Sequence, residues 1–144
     1  MSDTAQYCTF TLDGQLFGVA IGCVHEVLRH QPVTRVWSGS KAIQGLINLR
    51  GRVVAVVDLR TCLHMAPRPA GAEASNVVVQ VGGRTVSLCV DEIGEVVVGH
   101  LDDYESDETS HDRPGHEGIR GIYKLGDGLL QVLNVPEILE GAMK

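Results

Sequence analysis

Gly45-Leu46-Ile47-Asn48-Leu49-Arg50-Gly51-Arg52-Val53-Val54-Ala55-Val56-Val57-Asp58-Leu59-Arg60 decides the fold, because it recurs in diverged form from Gly121 to Pro136. At a constant offset of 76, Ile43, Gly45, Leu46, Leu49, Val53, Val54, Val56, Val57, Asp58, Cys62 and Leu63 fall on Ile119, Gly121, Ile122, Leu125, Leu129, Leu130, Val132, Leu133, Asn134, Ile138 and Leu139. A second correspondence, at offset 69, sets Leu12, Asp13-Gly14, Phe17, Val19, Ile21, Val24, Glu26 and Val27 on Val81, Gly82-Gly83, Val86, Leu88, Val90, Ile93, Glu95 and Val96. Apolar positions meet apolar positions in both, so the chain reads as two diverged copies of one unit.

The two offsets differ by seven residues, which must be inserted in the second copy between Val96 and Ile119. Composition changes in the same place. Leu101 to Glu117 holds Asp102, Asp103, Glu105, Asp107, Glu108, Asp112 and Glu117 against the single base Arg113, and this surplus equals the whole net charge of −6. The repeated body is therefore neutral. It lacks the basic footprint of a nucleic-acid binder.

With 144 residues and 44% hydrophobic content the chain can bury an ordinary core, but two equal copies are each too small to stand alone. The expectation is two lobes meeting at an apolar junction: lobe 1 over about 7–65, a connector over 66–75, and lobe 2 over about 76–140. The connector, Ala66-Pro67-Arg68-Pro69-Ala70-Gly71-Ala72-Glu73-Ala74-Ser75, is rich in Pro, Ala and Gly, although an ordinary surface loop would share that composition. The N-terminal residues lack the basic and apolar runs of a secretory signal, and no apolar run reaches the length of a membrane span, so a soluble intracellular protein is expected. Cys8, Cys23, Cys62 and Cys89 are spaced 15, 39 and 27 apart, which suits reduced packing residues rather than a zinc or disulfide framework.

Cys8, Phe10 and Leu12 alternate with polar neighbours, Asp13-Gly14 suits a tight turn, and Phe17, Val19 and Ile21 resume the alternation. The spacing of Val24, Val27 and Leu28 predicts a short helix with Glu26 off its apolar stripe. Val33 to Trp37, residues 45–50 and residues 52–58 complete five strands, and a short helix begins at Leu59. The second copy repeats the programme: strands over Asn76–Val81 and Arg84–Val90, a helical turn near Asp91–Ile93, strands over Glu95–Val98, Gly118–Leu125 and Leu129–Asn134, and a last helix containing Pro136. Five short strands joined by tight turns imply a small all-β barrel in each copy.

No catalytic, cofactor or metal site rises from the sequence. Gly82-Gly83 and Gly126-Asp127-Gly128 join strand to strand, whereas phosphate loops lead into a helix. Asp58 and Asp91 each end a strand before a helical pattern and read as helix caps, and Asn134 in the place of Asp58 fits capping but cannot titrate. His111, Asp112, His116 and Glu117 cluster around Pro114-Gly115 without metal-ligand spacing, and 102–108 lacks the pattern of a calcium loop. A small all-β ligand- or metal-binding module using the acidic loop 102–117 is the alternative to a binding scaffold.

Differences between the copies point to added tasks. Arg50 aligns with Gly126, so the turn itself does not demand arginine. Glu26 is the candidate partner of Arg50, because a small barrel packs the 50–52 turn near the first short helix. Two independent solvated charges remain the simpler alternative.

The run from Gly45 to Arg60 closely resembles the central motif of CheW-like coupling proteins of bacterial chemosensory arrays. Phe17-Gly18-Val19 with Val24-His25-Glu26-Val27, and Val90-Asp91-Glu92-Ile93-Gly94-Glu95-Val96, extend the likeness over about Tyr7 to Leu139. Ala55 stands in place of a common proline, and Trp37 replaces a smaller residue. The resemblance implies two SH3-like five-stranded barrels packed together and a non-enzymatic adaptor without cofactor. It would join the cytoplasmic hairpin tip of a chemoreceptor to the regulatory domain of a CheA-type histidine kinase, in the cytoplasm and at membrane-associated receptor arrays, without inserting into the membrane. It further implies receptor or kinase coupling for Val24, Glu26, Asn48, Leu49 and Arg50, with Val86 and Leu88 on the second wall of a groove between the barrels.

Overall fold

Asp13-Gly14 and Arg50-Gly51, the two tightest turns of the first copy, place both central residues at positive φ, which is the two-residue turn matched to strand twist. The computed structural model describes residues 3–36, 39–106 and 118–142. The strands are β1 (Thr4–Leu12), β2 (Gln15–Ala20), β3 (Val24–Leu28), β4 (Ile43–Leu49), β5 (Arg52–Asp58), β6 (Ser75–Val81), β7 (Arg84–Val90), β8 (Glu92–His100), β9 (Glu105–Ser106), β10 (Ile119–Leu125) and β11 (Gly128–Leu133). Short helices α1 (Leu59–Cys62) and α2 (Val135–Ala142) follow β5 and β11. The fold is all-β, with two SH3-like units.

Each sheet takes strands from both copies. One has the order β8-β1-β2-β11-β10-β9, the other β3-β6-β7-β5-β4. The hairpin β1–β2 leaves its own copy and lies parallel to β11 through β2, while β6–β7 reciprocally lies parallel to β5 through β7. Contiguous lobes over 7–65 and 76–140 therefore do not describe the sheets. An exchanged hairpin keeps the hydrophobic periodicity of a contiguous one, so the sequence pattern alone does not distinguish them.

The exchange leaves one continuous core. Phe10, Leu12, Phe17 and Val19 of one sheet pack with Val57, Val77, Val79, Leu88 and Val90 of the other, and α1 and α2 add Leu59, Ile138 and Leu139. Smaller clusters flank it, Tyr7, Tyr123, Leu130 and Val132 on one side and Ile47, Val54, Val56 and Cys89 on the other. All four cysteines are free thiols, and burial pushes Cys8 and Cys89 up and Cys62 to about 12. Thiols so far above neutral pH are poor nucleophiles.

Two local expectations change. Residues 24–28 form an edge strand with alternating half-buried and exposed positions, not a helix, and a register shift between Val24 and Glu26 sets Glu26 and Leu28 opposite Val78 and Asn76. No helical turn follows β7: Asp91 leads directly into β8, and its carboxylate caps nothing. Asp58 and Asn134 do cap. Asp58 accepts from the Arg60 N–H and the Thr61 hydroxyl, and Asn134 accepts from the Glu137 N–H.

The predicted strand over Val33–Trp37 contracts to one bridge, Thr34 with Leu46, and Trp37 lies outside the described residues. Its counterpart is β9, which pairs with β10 at Gly121 and Ile122. Both crossings occur at the repeated glycine. A Cβ on Gly45 would stand 2.3 Å from the Thr34 carbonyl oxygen, and one on Gly121 2.6 Å from that of Glu105. Register shifts at the same place in β4 and β10 accompany these close approaches.

Gly45→Ala and Gly121→Ala should each cost about 1–3 kcal/mol through overpacking against backbone. Gly22→Ala, whose added carbon meets nothing within 4 Å, serves as the control. Thermal unfolding should show a fall of several degrees for the first two and little change for the third.

Candidate functional site

The β4–β5 turn puts an arginine where an L-residue is least at ease. Arg50 has φ 51 and Gly51 φ 86, and the Asn48 side-chain oxygen accepts the Gly51 N–H at 2.9 Å to close the turn. Left-handed backbone is disfavoured by the Cβ, so the position asks for Gly or Asn rather than Arg. The guanidinium aimed from it forms a fork with Glu26 on β3: Nη1 donates to Oε1 and Nη2 to Oε2, both at 2.7 Å. The Arg50 side chain is 71% exposed and that of Glu26 17%. The fork holds the Glu26 carboxyl below its ordinary value.

Glu26, Asn48 and Arg50 thus come together as one surface unit, in which Asn48 shapes the turn. Leu49 is half-buried against the small cluster of β4 and β5, and Val24 packs against the main core. Val86 and Leu88 are 2% and 0% exposed, so neither offers a wall to any groove. Their inward face follows from the hairpin exchange, which buries β7 between β6 and β5. The acidic loop from Asp107 to Glu117, with His111 and His116, lies outside the described residues. Tyr104 and β9, however, belong to the fold, because Tyr104 packs against Tyr123 and β9 pairs with β10.

The edge strands β3 and β8 carry exposed apolar side chains instead. Val27 on β3 is 41% exposed, and Val96 and Val98 on β8 are 54% and 52%. Val27 and Val96 occupy equivalent repeat positions. Between the end of β3 and the start of β8 runs a cleft of about 1040 Å³, lined by Val27, Leu28 and His30 on one side, Glu92 and Ile93 on another, and the connector from Arg68 to Ser75.

At the base of this cleft the Asp91 carboxylate holds a network that sequence reasoning missed. Arg60 donates to it through Nε at 3.1 Å and Nη2 at 2.5 Å, Arg68 through Nε at 2.9 Å, and the Asp13 N–H at 2.8 Å. Burial pushes the Asp91 carboxyl up, but the Arg60 fork, the Asp13 N–H and Arg68 outweigh it and hold it at about 2. Arg60 is 6% exposed. Copy differences carried the signal: Arg60 aligns with Pro136 and Asp91 with Gly22, as Arg50 does with Gly126.

Among the described residues no three His, Cys, Asp or Glu side chains converge as a metal site, and no helix is long and apolar enough to cross a membrane. Residues 6–143 match the family described as the CheW-like domain. The chain is 25% identical to the chemotaxis protein CheW of Treponema pallidum, covering 92% of this chain and 81% of that protein. It is 27% identical to the chemotaxis protein CheW of Bacillus subtilis, covering 91% and 84%. The solved structure of the scaffolding protein TtCheW from Thermoanaerobacter tengcongensis superposes with a TM-score of 0.81 at 26% identity, over 92% of this chain and 89% of that one.

A carboxyl at about 2 in place of an ordinary 3.8 contributes about 2 kcal/mol to stability above pH 4, and this is lost as pH falls through 2. The carbon-13 resonance of the Asp91 carboxyl should titrate near 2. Arg60→Gln should raise that midpoint toward the ordinary value, and a wild-type midpoint near 4 would remove the network's electrostatic role.

Proposed function

The chain belongs to the CheW-like family, and we propose that it acts as a non-enzymatic scaffold coupling a chemoreceptor's cytoplasmic hairpin to the regulatory domain of a CheA-type histidine kinase. The observation that carries this reading is Arg50. Backbone strain is retained at a position where glycine would sit without it, and what it presents is an exposed, permanently charged fork. Such a fork suits a partner's carboxylate, or fixes Glu26 as an acceptor for a partner's cation. The apolar contact comes from the edge strands, where Val27 and Ile93 line the cleft in place of Val86 and Leu88, and Val96 and Val98 lie exposed further along β8. A helical hairpin recognised by an apolar groove with one oriented polar pair is a common mode of peptide docking.

The kinase domain, itself similar to this family, is assigned to a barrel end. Val53, 69% exposed beside the Arg50 turn, and Leu129, 48% exposed beside a recess of about 470 Å³, offer apolar anchors at the two ends. They occupy equivalent positions of the repeat, so either end presents the same kind of surface.

Arg50→Ala and Arg50→Gly should separate stability from binding. Both should keep the unfolding midpoint within about 2 °C of wild type, because an exposed pair contributes little and glycine relieves the turn. Both should weaken pull-down of a receptor hairpin or of the kinase regulatory domain at least several-fold. Unchanged binding to the two partners would reduce Arg50 to a surface charge.

A further inference from the structure

We propose that residues 66–74 form a strap latched onto Asp91 by Arg68, and that this latch opens without the barrels and sets the width of the cleft between β3 and β8. Every residue from Ala66 to Glu73 is exposed except Arg68, whose side chain is 11% exposed. Pro67 and Pro69 lack N–H donors, Gly71 has φ 82, and the one hydrogen bond inside the strap runs from the Ala72 N–H to the Pro69 carbonyl at 3.1 Å. The segment thus has little structure of its own, and beyond the Arg60 Nη1 donation to the Ala66 carbonyl at its start it is fastened by one inward side chain of its own, Arg68.

The fastening is separable from the fold. Arg68 Nε donates to Asp91 Oδ1 at 2.9 Å and Nη2 lies 2.8 Å from the same oxygen, whereas Nη1 reaches only the weakly accepting Cys89 sulfur at 3.5 Å. Asp91 does not depend on this contact, since Arg60 and the Asp13 N–H hold it from other directions. Freeing Arg68 would leave the Asp91 charge paired. The strap would then be held only at its first residue, where Arg60 Nη1 donates to the Ala66 carbonyl at 3.0 Å.

Position makes the latch consequential. Pro69, Ala72, Glu73 and Ala74 form one wall of the cleft, opposite Val27 and Ile93. A partner seated between the edge strands meets this wall, so latch strength becomes part of its affinity. That consequence rests on the coupling function proposed above.

Hydrogen exchange on the full chain, wild type against Arg68→Gln, tests the latch. The amide of Ala72, which donates the hydrogen bond inside the strap, should exchange at least ten times faster in the variant, while those of β6 and β7 keep their rates, and Arg68→Lys should fall between. Unchanged exchange in the strap, or equal acceleration in β6 and β7, overturns the proposal. The dissociation constant for a soluble chemoreceptor hairpin fragment should shift at least threefold in Arg68→Gln, and an unshifted value removes the gating role. A wild-type chain that fails to bind the fragment rejects the coupling function, and the exchange rates still decide the strap.

Discussion

One carboxylate, that of Asp91, stands where β7 of one sheet passes the chain to β8 of the other, and three segments converge on it. Asp13 brings the turn of the β1–β2 hairpin, Arg60 brings α1 at the end of β5, and Arg68 brings the connector. Buried guanidinium is costly without a partner, and Arg60 at 6% exposure is tolerable only in this arrangement. The network thereby ties the exchanged hairpin to the opposite sheet. Net stabilisation from such burial is modest, because desolvation offsets much of the attraction. What it contributes is the choice of one geometry at the crossover.

Exchange of hairpins explains why two units this small persist together. In each sheet the borrowed hairpin sits between two strands of the other copy, β8 and β11 in one and β3 and β5 in the other, so neither copy can close its sheet alone. The main core follows the exchange, drawing on β1, β2, β5, β6 and β7 together. Separating the lobes would tear strand ladders as well as expose apolar surface. The two glycines, Gly45 and Gly121, mark the matching sites where a third segment crosses each sheet's edge.

The repeat, the strand positions and the hairpin turns were legible because they rest on local rules: alternation, turn chemistry and apolar periodicity. Asp58 and Asn134 were legible as caps for the same reason. The exchange was not, since a hairpin carries the same pattern whichever copy it joins. Residues 24–28 misled because Val24, Val27 and Leu28 satisfy a helical spacing, and only pairing with β6 decides. Val86 and Leu88 were misplaced by the same gap: the faces of a strand are visible in sequence, but which face is sealed depends on its neighbours. Asp91 escaped because its partners lie 78, 31 and 23 residues away.

Arg50 and Arg60 use one chemistry at two depths. Each presents a guanidinium fork to a carboxylate, yet one side chain is 71% exposed and the other 8%. At the surface, water competes with the fork and salt screens it, so the pair adds little to folding and can exchange its partner at small cost. In the interior, neither charge can leave the other without a large desolvation penalty. The same repeat comparison singles out both arginines, opposite a glycine and a proline in the second copy. Burial then assigns the roles: Arg60 fixes the crossover, and Arg50 remains available to another molecule.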